Sequence, residues 1–250
     1  MNLLIIGFGV VGQAVYEGLV ENNTIDLLDI EPNDDIDYSS YDGIIICLPT
    51  PQGPRGECDD MLVEQYIRTI RIEVPAVPIL IKSTISLELV ELLEDDQEVT
   101  YNPEFLTEAD SNKEFCHQKF AIFGGHHCRS WYDLYINSGI KIDKVRFTSM
   151  KNAAYAKYTI NSFLATKVIF FNELYNMYCD DGFDELTEII AMYERIGKSH
   201  MMVPGPDREF GFGGMCLPKD TLAFATSASR AGSPLKLLEE AILINNQIRK

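Results

Sequence analysis

The sequence predicts an α/β chain: a doubly wound parallel sheet over residues 1–147, followed by an all-helical domain over residues 148–250. Three observations carry that expectation. Short apolar runs such as Leu3-Leu4-Ile5-Ile6 and Gly43-Ile44-Ile45-Ile46-Cys47-Leu48 have no polar alternation, as strands covered on both faces require. A glycine-rich turn stands directly between the first such run and a helical pattern. From about Phe147 the texture changes to long amphipathic helix.

Composition bounds the possibilities. The chain has 250 residues, 46% hydrophobic and 24% charged, enough apolar material for one large or two modest domains. A formal net charge of -17 argues against nucleic acid or anionic membrane as a partner, since both are bound by basic patches. No apolar run reaches bilayer length. Met1-Asn2 leads straight into a strand, so no signal peptide is read at the start. The six cysteines (47, 58, 116, 128, 179, 216) are scattered without zinc spacing, which fits reduced thiols in a cytoplasmic protein and no metal site.

The first strand is followed by Gly7-Phe8-Gly9-Val10-Val11-Gly12, and Gln13 to Val20 reads as a helix. This is a Gly-x-Gly-x-x-Gly in the context a Rossmann-type dinucleotide site requires: tight turn, close approach to a pyrophosphate, close helix–strand packing. The helix N-terminus attracts the phosphates. A second strand, Ile25-Asp26-Leu27-Leu28, ends in Asp29, 22 residues beyond Gly7. A carboxylate there binds ribose hydroxyls and repels a 2′-phosphate, which favours NAD as the cofactor.

Glu31 to Tyr41 is acidic and polar without a helix pattern. Pro49-Thr50-Pro51 ends the strand over residues 43–48, and Asp59 to Glu73 reads as a helix with Leu62, Tyr66, Ile67 and Ile70 on one face. Ile79-Leu80-Ile81 is a further strand running into Lys82-Ser83-Thr84, and strand C-termini line the ligand crevice of such sheets, which places Thr84 for function. Thr100-Tyr101 leads into Asn102-Pro103-Glu104-Phe105-Leu106-Thr107-Glu108, where two carboxylates stand four apart. Phe120 to Gly125 reads as the last major strand of the first domain. His126, His127 and Cys128 read as surface residues, because adjacent residues rarely converge on one ion, and Trp131 reads as packing.

Ser149 is a candidate cap for a helix reaching about Tyr178. Lys157 and Asn161 lie one turn apart within its apolar pattern and need partners there. The most distinctive run is Gly211-Phe212-Gly213-Gly214-Met215-Cys216-Leu217-Pro218-Lys219-Asp220. Its glycines make a turn, and Pro218 sits where a helix begins. Cys216 then precedes a helix N-terminus, where the dipole and Lys219 favour thiolate, with the Asp220 carboxylate near. An inert packed cysteine is the alternative; the glycine turn and the charged neighbours favour a nucleophile. Leu235 to Ile248 reads as a last amphipathic helix.

The Cys216 run resembles the catalytic cysteine motif of the UDP-glucose and GDP-mannose dehydrogenases, NAD-dependent enzymes that oxidise a sugar-nucleotide alcohol twice. Asn102 to Glu108 is similar to that family's Asn-Pro-Glu-Phe-Leu-x-Glu-Gly, with Ala109 in place of the glycine. Lys157 and Asn161 match its catalytic helix, which the wider β-hydroxyacid dehydrogenases share.

The resemblance implies catalytic roles for Cys216, Lys157, Asn161, Asp220, Glu104 and Thr84. It implies NAD contacts from Gly7, Gly9, Val10, Val11, Gly12, Asp29, Pro49, Thr50, Thr84, Glu108 and Lys219. It also implies substrate contacts from Glu104, Phe105, Leu106, Lys157, Asn161, Arg195, His200, Phe212 and Gly213. His200 stands where the family stacks an aromatic on uracil, and Arg195 matches an arginine that reaches the neighbouring subunit's site. The helical domain would then serve homodimerisation. The expected substrate is a UDP-sugar, UDP-glucose first. GDP-mannose, another sugar nucleotide, or a non-catalytic NAD-binding subunit with a partner are the alternatives. The resemblance reaches the first two thirds of the family architecture, with its C-terminal nucleotide-binding domain expected to be missing.

Overall fold

In a computed structural model the described residues are 1–29, 36–107, 110–179 and 181–249. The chain divides into two compact units: Met1–Pro51 with Cys58–Lys157, and Gln52–Glu57 with Tyr158–Lys250.

The first unit starts with β1 (Asn2–Ile6), α1 (Val10–Leu19), β2 (Thr24–Leu28) and β3 (Gly43–Ile46). Of the polar stretch from Glu31 to Tyr41, residues 31–35 lie outside those described, and Tyr38–Ser40 makes one short 3-10 turn. It continues with α2 (Met61–Glu73), β4 (Ile79–Ile81), α3 (Leu87–Leu93), β5 (Val99–Tyr101), α4 (Ser111–Cys116) and β6 (His117–Gln118). Then come β7 (Ala121–Gly125), α5 (Cys128–Asn137), β8 (Lys141–Ile142), β9 (Val145–Thr148) and the start of α6 (Met150–Tyr178). Seven strands form one sheet in the order β2-β1-β3-β4-β5-β7-β9. The strands from β2 to β5 in that order pair in parallel; β7 is antiparallel to β5 and parallel to β9.

Because side chains alternate along a strand, the all-apolar strands feed two cores. Leu4, Ile6, Ile44, Ile46, Ile79 and Ile81 pack on one face with α2, α3 and the first turns of α6. Leu3, Ile5, Ile45 and Leu80 pack on the other with α1, Phe115 of α4, and Trp131, Leu134 and Tyr135 of α5. Helices on both faces make the sheet doubly wound. The edge strand β9 follows what the sequence presents as the last major strand. At β5 the turn to an antiparallel neighbour is pinned by Asn102, whose Nδ2 donates to the Ile122 carbonyl (2.7 Å).

Ser149 caps α6, its Oγ accepting from the Asn152 N–H (3.1 Å). The division between units falls inside that helix, after Lys157, rather than at its start.

The second unit contains the rest of α6, α7 (Phe183–Ala191), α8 (Leu217–Arg230) and α9 (Lys236–Ile248). Ala165, Ile169, Phe212 and Ala241 form one apolar cluster, with Leu217 against it. Phe171, Phe183, Met201 and Val203 form another. No helix among the described residues is long and apolar enough to cross a membrane.

Candidate active site

Parallel strands deliver their C-termini to one edge of a sheet, and the first unit's candidates collect there. Gly7 follows β1, Asp29 follows β2, Pro49 and the buried Thr50 follow β3, half-buried Thr84 follows β4, and Glu104 to Leu106 follow β5. Glu108 lies outside the described residues.

The glycine loop fits a dinucleotide. Gly7 has φ 93°, and a Cβ there would sit 2.7 Å from the Cys47 carbonyl oxygen. A Cβ on Gly12 would lie 2.1 Å from the Gly7 carbonyl oxygen, so α1 packs on the loop only without a side chain. At Gly9, the N-cap of α1, a Cβ would meet nothing within 4 Å, which leaves room at the helix terminus for phosphates. Val10 is exposed, Val11 is partly buried, and no acidic residue stands in the first turn to repel an anion. Asp29 is exposed at the end of β2, where a ribose would lie.

Glu104 and Lys157 meet within the first unit. Lys157, 2% exposed, donates to the Glu104 carbonyl (2.6 Å), has the Glu104 carboxylate at 3.8 Å and lies 5.1 Å from the Phe105 ring centre. The same carboxylate accepts from the Leu106 N–H (2.6 Å), so Glu104 holds its own turn.

Asn161 and Asp220 meet within the second unit. Asn161 Nδ2 donates to Asp220 Oδ2 at 2.6 Å, and Lys219 Nζ lies 2.7 Å from the other carboxylate oxygen. The Asp220 N–H in turn donates to the Cys216 carbonyl (2.9 Å), closing the first turn of α8. Cys216 is its exposed N-cap residue, and Leu217 and Pro218 open the helix. A thiol at a helix N-terminus stands where the helix dipole favours thiolate.

The remaining candidates of this unit differ in exposure. Phe212 buries its ring in the α6–α9 cluster, so its side chain is core. Gly213 is half-buried, its missing Cβ filled by the Arg249 guanidinium. Arg195 is exposed, 6.0 Å from the Tyr193 ring centre. His200 has φ 62°, and its pKa is lowered, by desolvation first and the Lys167 ammonium second.

Lys82, at the end of β4, carries no motif that marks it in the sequence. It is 3% exposed, donates to Asn102 Oδ1 (2.7 Å), and shares that oxygen with the Tyr135 hydroxyl (3.1 Å). Burial pushes its pKa down to about 8, against the opposing pull of Glu104 and Cys47. With Glu104, Phe105, Leu106, Phe115 and Phe120 it lines a cavity of about 250 Å³. A lysine closing an apolar strand was the available signal. Among the described residues no group of His, Cys, Asp and Glu could hold a metal ion.

The doubly wound sheet, the glycine loop and the exposed carboxylate at the end of β2 define an NAD-binding α/β protein. Two models of one family match most of the chain. Residues 15–134 match the NAD binding domain of the UDP-glucose/GDP-mannose dehydrogenase family, and residues 151–247 match its central domain. The chain belongs to that family.

It is 28% identical over 246 residues to UDP-glucose 6-dehydrogenase TuaD of Bacillus subtilis (strain 168), covering 92% of this chain and 52% of that protein. It is 30% identical over 227 residues to UDP-glucose 6-dehydrogenase of Rickettsia bellii (strain RML369-C), covering 84% and 50%. The chain thus spans about half the length of the curated relatives it matches. In fold it is similar to a UDP-glucose dehydrogenase from Pyrobaculum islandicum (TM-score 0.82, 22% identity, 98% of this chain and 68% of that one). A UDP-D-ManNAc dehydrogenase from Pyrococcus horikoshii is similar too (TM-score 0.80, 20% identity, 99% and 69%).

Proposed function

We propose that this chain carries the NAD site and the reacting residues of a UDP-glucose 6-dehydrogenase, taking UDP-glucose to UDP-glucuronate in a four-electron oxidation. The observation that carries the reading is Cys216 at the N-terminus of α8, with Asp220, held by Asn161 and Lys219, one turn along. A two-electron alcohol oxidation needs no nucleophile, whereas holding the aldehyde covalently on a thiol turns it into a hydride donor for a second oxidation to the acid.

Gly7, Gly9, Val10, Val11 and Gly12 would hold the pyrophosphate, and Asp29 the adenosine ribose, with Pro49, Thr50, Thr84, Glu108 and Lys219 completing the cofactor's surroundings. Bound there, NAD would supply the hydride acceptor for each of the two oxidations. Lys157, Asn161 and Asp220 would hold a water that takes the sugar hydroxyl proton, and the Lys157 ammonium and the Asn161 amide would stabilise the oxyanion that develops on that hydroxyl's oxygen. Cys216 thiolate adds to the aldehyde carbon: a C–S bond forms and the carbonyl π pair moves to oxygen, giving the oxyanion of a thiohemiacetal. Once oxidised to the thioester, the adduct is hydrolysed by a water held near Glu104 and Thr84, which releases the carboxylate and returns the thiol. Phe105, Leu106, Gly213, Arg195 and His200 are the proposed sugar-nucleotide contacts, while Phe212, its ring in the core, would contribute by anchoring the turn that carries Gly213.

The same reading makes the protein a cytoplasmic homodimer in which Arg195 reaches the neighbouring site. Phe163, Phe170 and Met177 are exposed on α6 at seven-residue intervals, the spacing of a helix–helix seam, which supports that association.

The test is NADH formation by the purified chain with UDP-glucose, in parallel with GDP-mannose. The reading expects two NADH per UDP-glucose, and Cys216→Ser that makes no acid but still binds NAD. One NADH per sugar, or undiminished uronic acid from Cys216→Ser, overturns the mechanism. Turnover confined to GDP-mannose moves the substrate assignment.

A further inference from the structure

The turn that precedes Cys216 is held by two buried asparagines that the proposed chemistry does not use. Asn172 on α6 accepts from the Gly211 N–H through Oδ1 (3.0 Å), while its Nδ2 donates to the Val168 carbonyl of its own helix (2.8 Å). Asn245 on α9 makes both peptide contacts to Phe212: its Oδ1 accepts from the N–H (2.7 Å) and its Nδ2 donates to the carbonyl (3.2 Å). Both side chains are buried, so each bond replaces one that water would otherwise make and none is dispensable.

Backbone geometry matches this clamp. Gly211 has φ 74°, and a Cβ there would come within 2.3 Å of Asn245 Oδ1, so glycine is required for the asparagine to reach the chain. The Phe212 ring, beside those bonds, is anchored in the cluster of Ala165, Ile169 and Ala241, and Leu217 packs against the same cluster. Residues 213–216 are therefore a short span between two anchors, and at Gly214 (φ 79°) nothing crowds the backbone. The exposed thiol ends that span as the N-cap residue of α8, so the anchors at Gly211, Phe212 and Leu217 bear directly on where it sits.

We infer that Asn172 and Asn245 are positioning residues for Cys216: they fix the glycine turn from α6 and α9 so that the thiol stays at the N-terminus of α8. This rests on the reading of Cys216 as the nucleophile, but its first consequence is measurable without any substrate. A thiol held at a helix N-terminus is favoured as thiolate and is alkylated faster than one that wanders from it.

The experiment is iodoacetamide labelling across pH 6–9, followed peptide by peptide by mass spectrometry, with the exposed Cys116 of the first unit as internal reference. Asn245→Ala should slow Cys216 relative to Cys116 about tenfold at pH 7. Asn172→Ala, which removes the Gly211 bond and the bond to Val168 within α6 but leaves both Phe212 bonds, serves if the first variant fails to fold and should slow it about threefold. With sugar nucleotide present, kcat for acid formation should fall in step while NAD affinity is unchanged. A Cys216-to-Cys116 ratio within a factor of 1.5 of the parent in folded Asn172→Ala, or faster labelling, overturns the inference. A parent chain that labels as expected but makes no NADH counts against the proposed function and leaves the clamp standing.

Discussion

Asn161 and Asp220 lie 59 residues apart and meet through a 2.6 Å hydrogen bond with 7% and 1% of their surfaces exposed. This contact ties the long helix α6 to the first turn of α8, which begins beside Cys216. A buried carboxylate that loses a hydrogen-bonded partner keeps its desolvation cost without the compensation. Asp220 keeps the Lys219 ammonium, so Asn161→Leu should lower unfolding free energy by about 1.5–3 kcal/mol, the range for a hydrogen bond to a charged group. Urea titration at pH 7 measures this, and a loss under about 1 kcal/mol contradicts it.

Asn161→Asp tests the same contact by sign. Two buried carboxylates at hydrogen-bond distance cannot both stay charged, so one takes a folded pKa above its unfolded value. For an acid shifted upward the penalty is full above the folded pKa and relieved as pH falls through it. Asn161→Asp should be markedly less stable than the parent at pH 8, with a difference that narrows toward pH 5. A difference constant over that range means that the carboxylates do not interact.

Two glycines of the first loop separate packing from binding. At Gly12 a Cβ would lie 2.1 Å from backbone, which cannot give way cheaply, so Gly12→Ala should cost about 1–3 kcal/mol, as overpacking does. At Gly9 nothing lies within 4 Å and φ is -75°, so Gly9→Ala should melt with the parent. Its methyl would stand where pyrophosphate must approach, and NAD affinity should fall about tenfold or more by calorimetry, equivalent to about 1.4 kcal/mol. Unchanged NAD affinity in Gly9→Ala places the cofactor elsewhere.

These contrasts show what the sequence makes legible. The apolar runs of β1, β3 and β4 announce strands buried on both faces, and Ser149 announces the start of α6, because each is a local pattern with one structural solution. The edge strand β9 is not announced. Its Val145 and Phe147 are exposed and its neighbours charged, so it has neither the apolar run nor a buried alternation. Lys157 and Asn161 stand out as polar residues in an apolar helix pattern, but Glu104 and Asp220 as their partners depend on tertiary contact. Asn172 and Asn245 carry the same signal, standing in line with buried Ala165 and Ile169 on α6 and with Leu238 and Ala241 on α9. What they hold, a backbone turn, leaves no mark in side-chain spacing.

Lys167 gives a prediction about the segment that carries Arg195 and His200. Its ammonium donates to three carbonyls, Ile196 (3.0 Å), Gly197 (2.9 Å) and Ser199 (2.6 Å). One cation satisfying three backbone acceptors substitutes for a regular element there. Lys167→Met should speed amide exchange across residues 195–200 at least tenfold while leaving β1 and β3 protected, as judged by hydrogen-exchange mass spectrometry. Equal exchange in that segment means the loop is held by other contacts.

Lys82 sets a pH dependence in the first unit. Its folded pKa is about 8, lowered chiefly by burial and also by Lys157, while Glu104 and Cys47 oppose the shift; the unfolded value lies near 10.5. Between those values the unfolded chain binds the extra proton, so this group makes stability rise with pH across that window, and its penalty is full below about pH 8. Lys82→Met has similar length and no charge, and leaves Asn102 Oδ1 the Tyr135 hydroxyl as a donor. The variant should be more stable than the parent at pH 7, and its advantage should shrink from pH 8 to 10 by at most about 1.4 kcal/mol per pH unit. Comparing the two proteins by urea unfolding at pH 7, 8, 9 and 10 isolates this group from others that titrate alike in both. An advantage that grows with pH, or a variant less stable at pH 7, shows that the Lys82 ammonium contributes more through Asn102 than its burial costs.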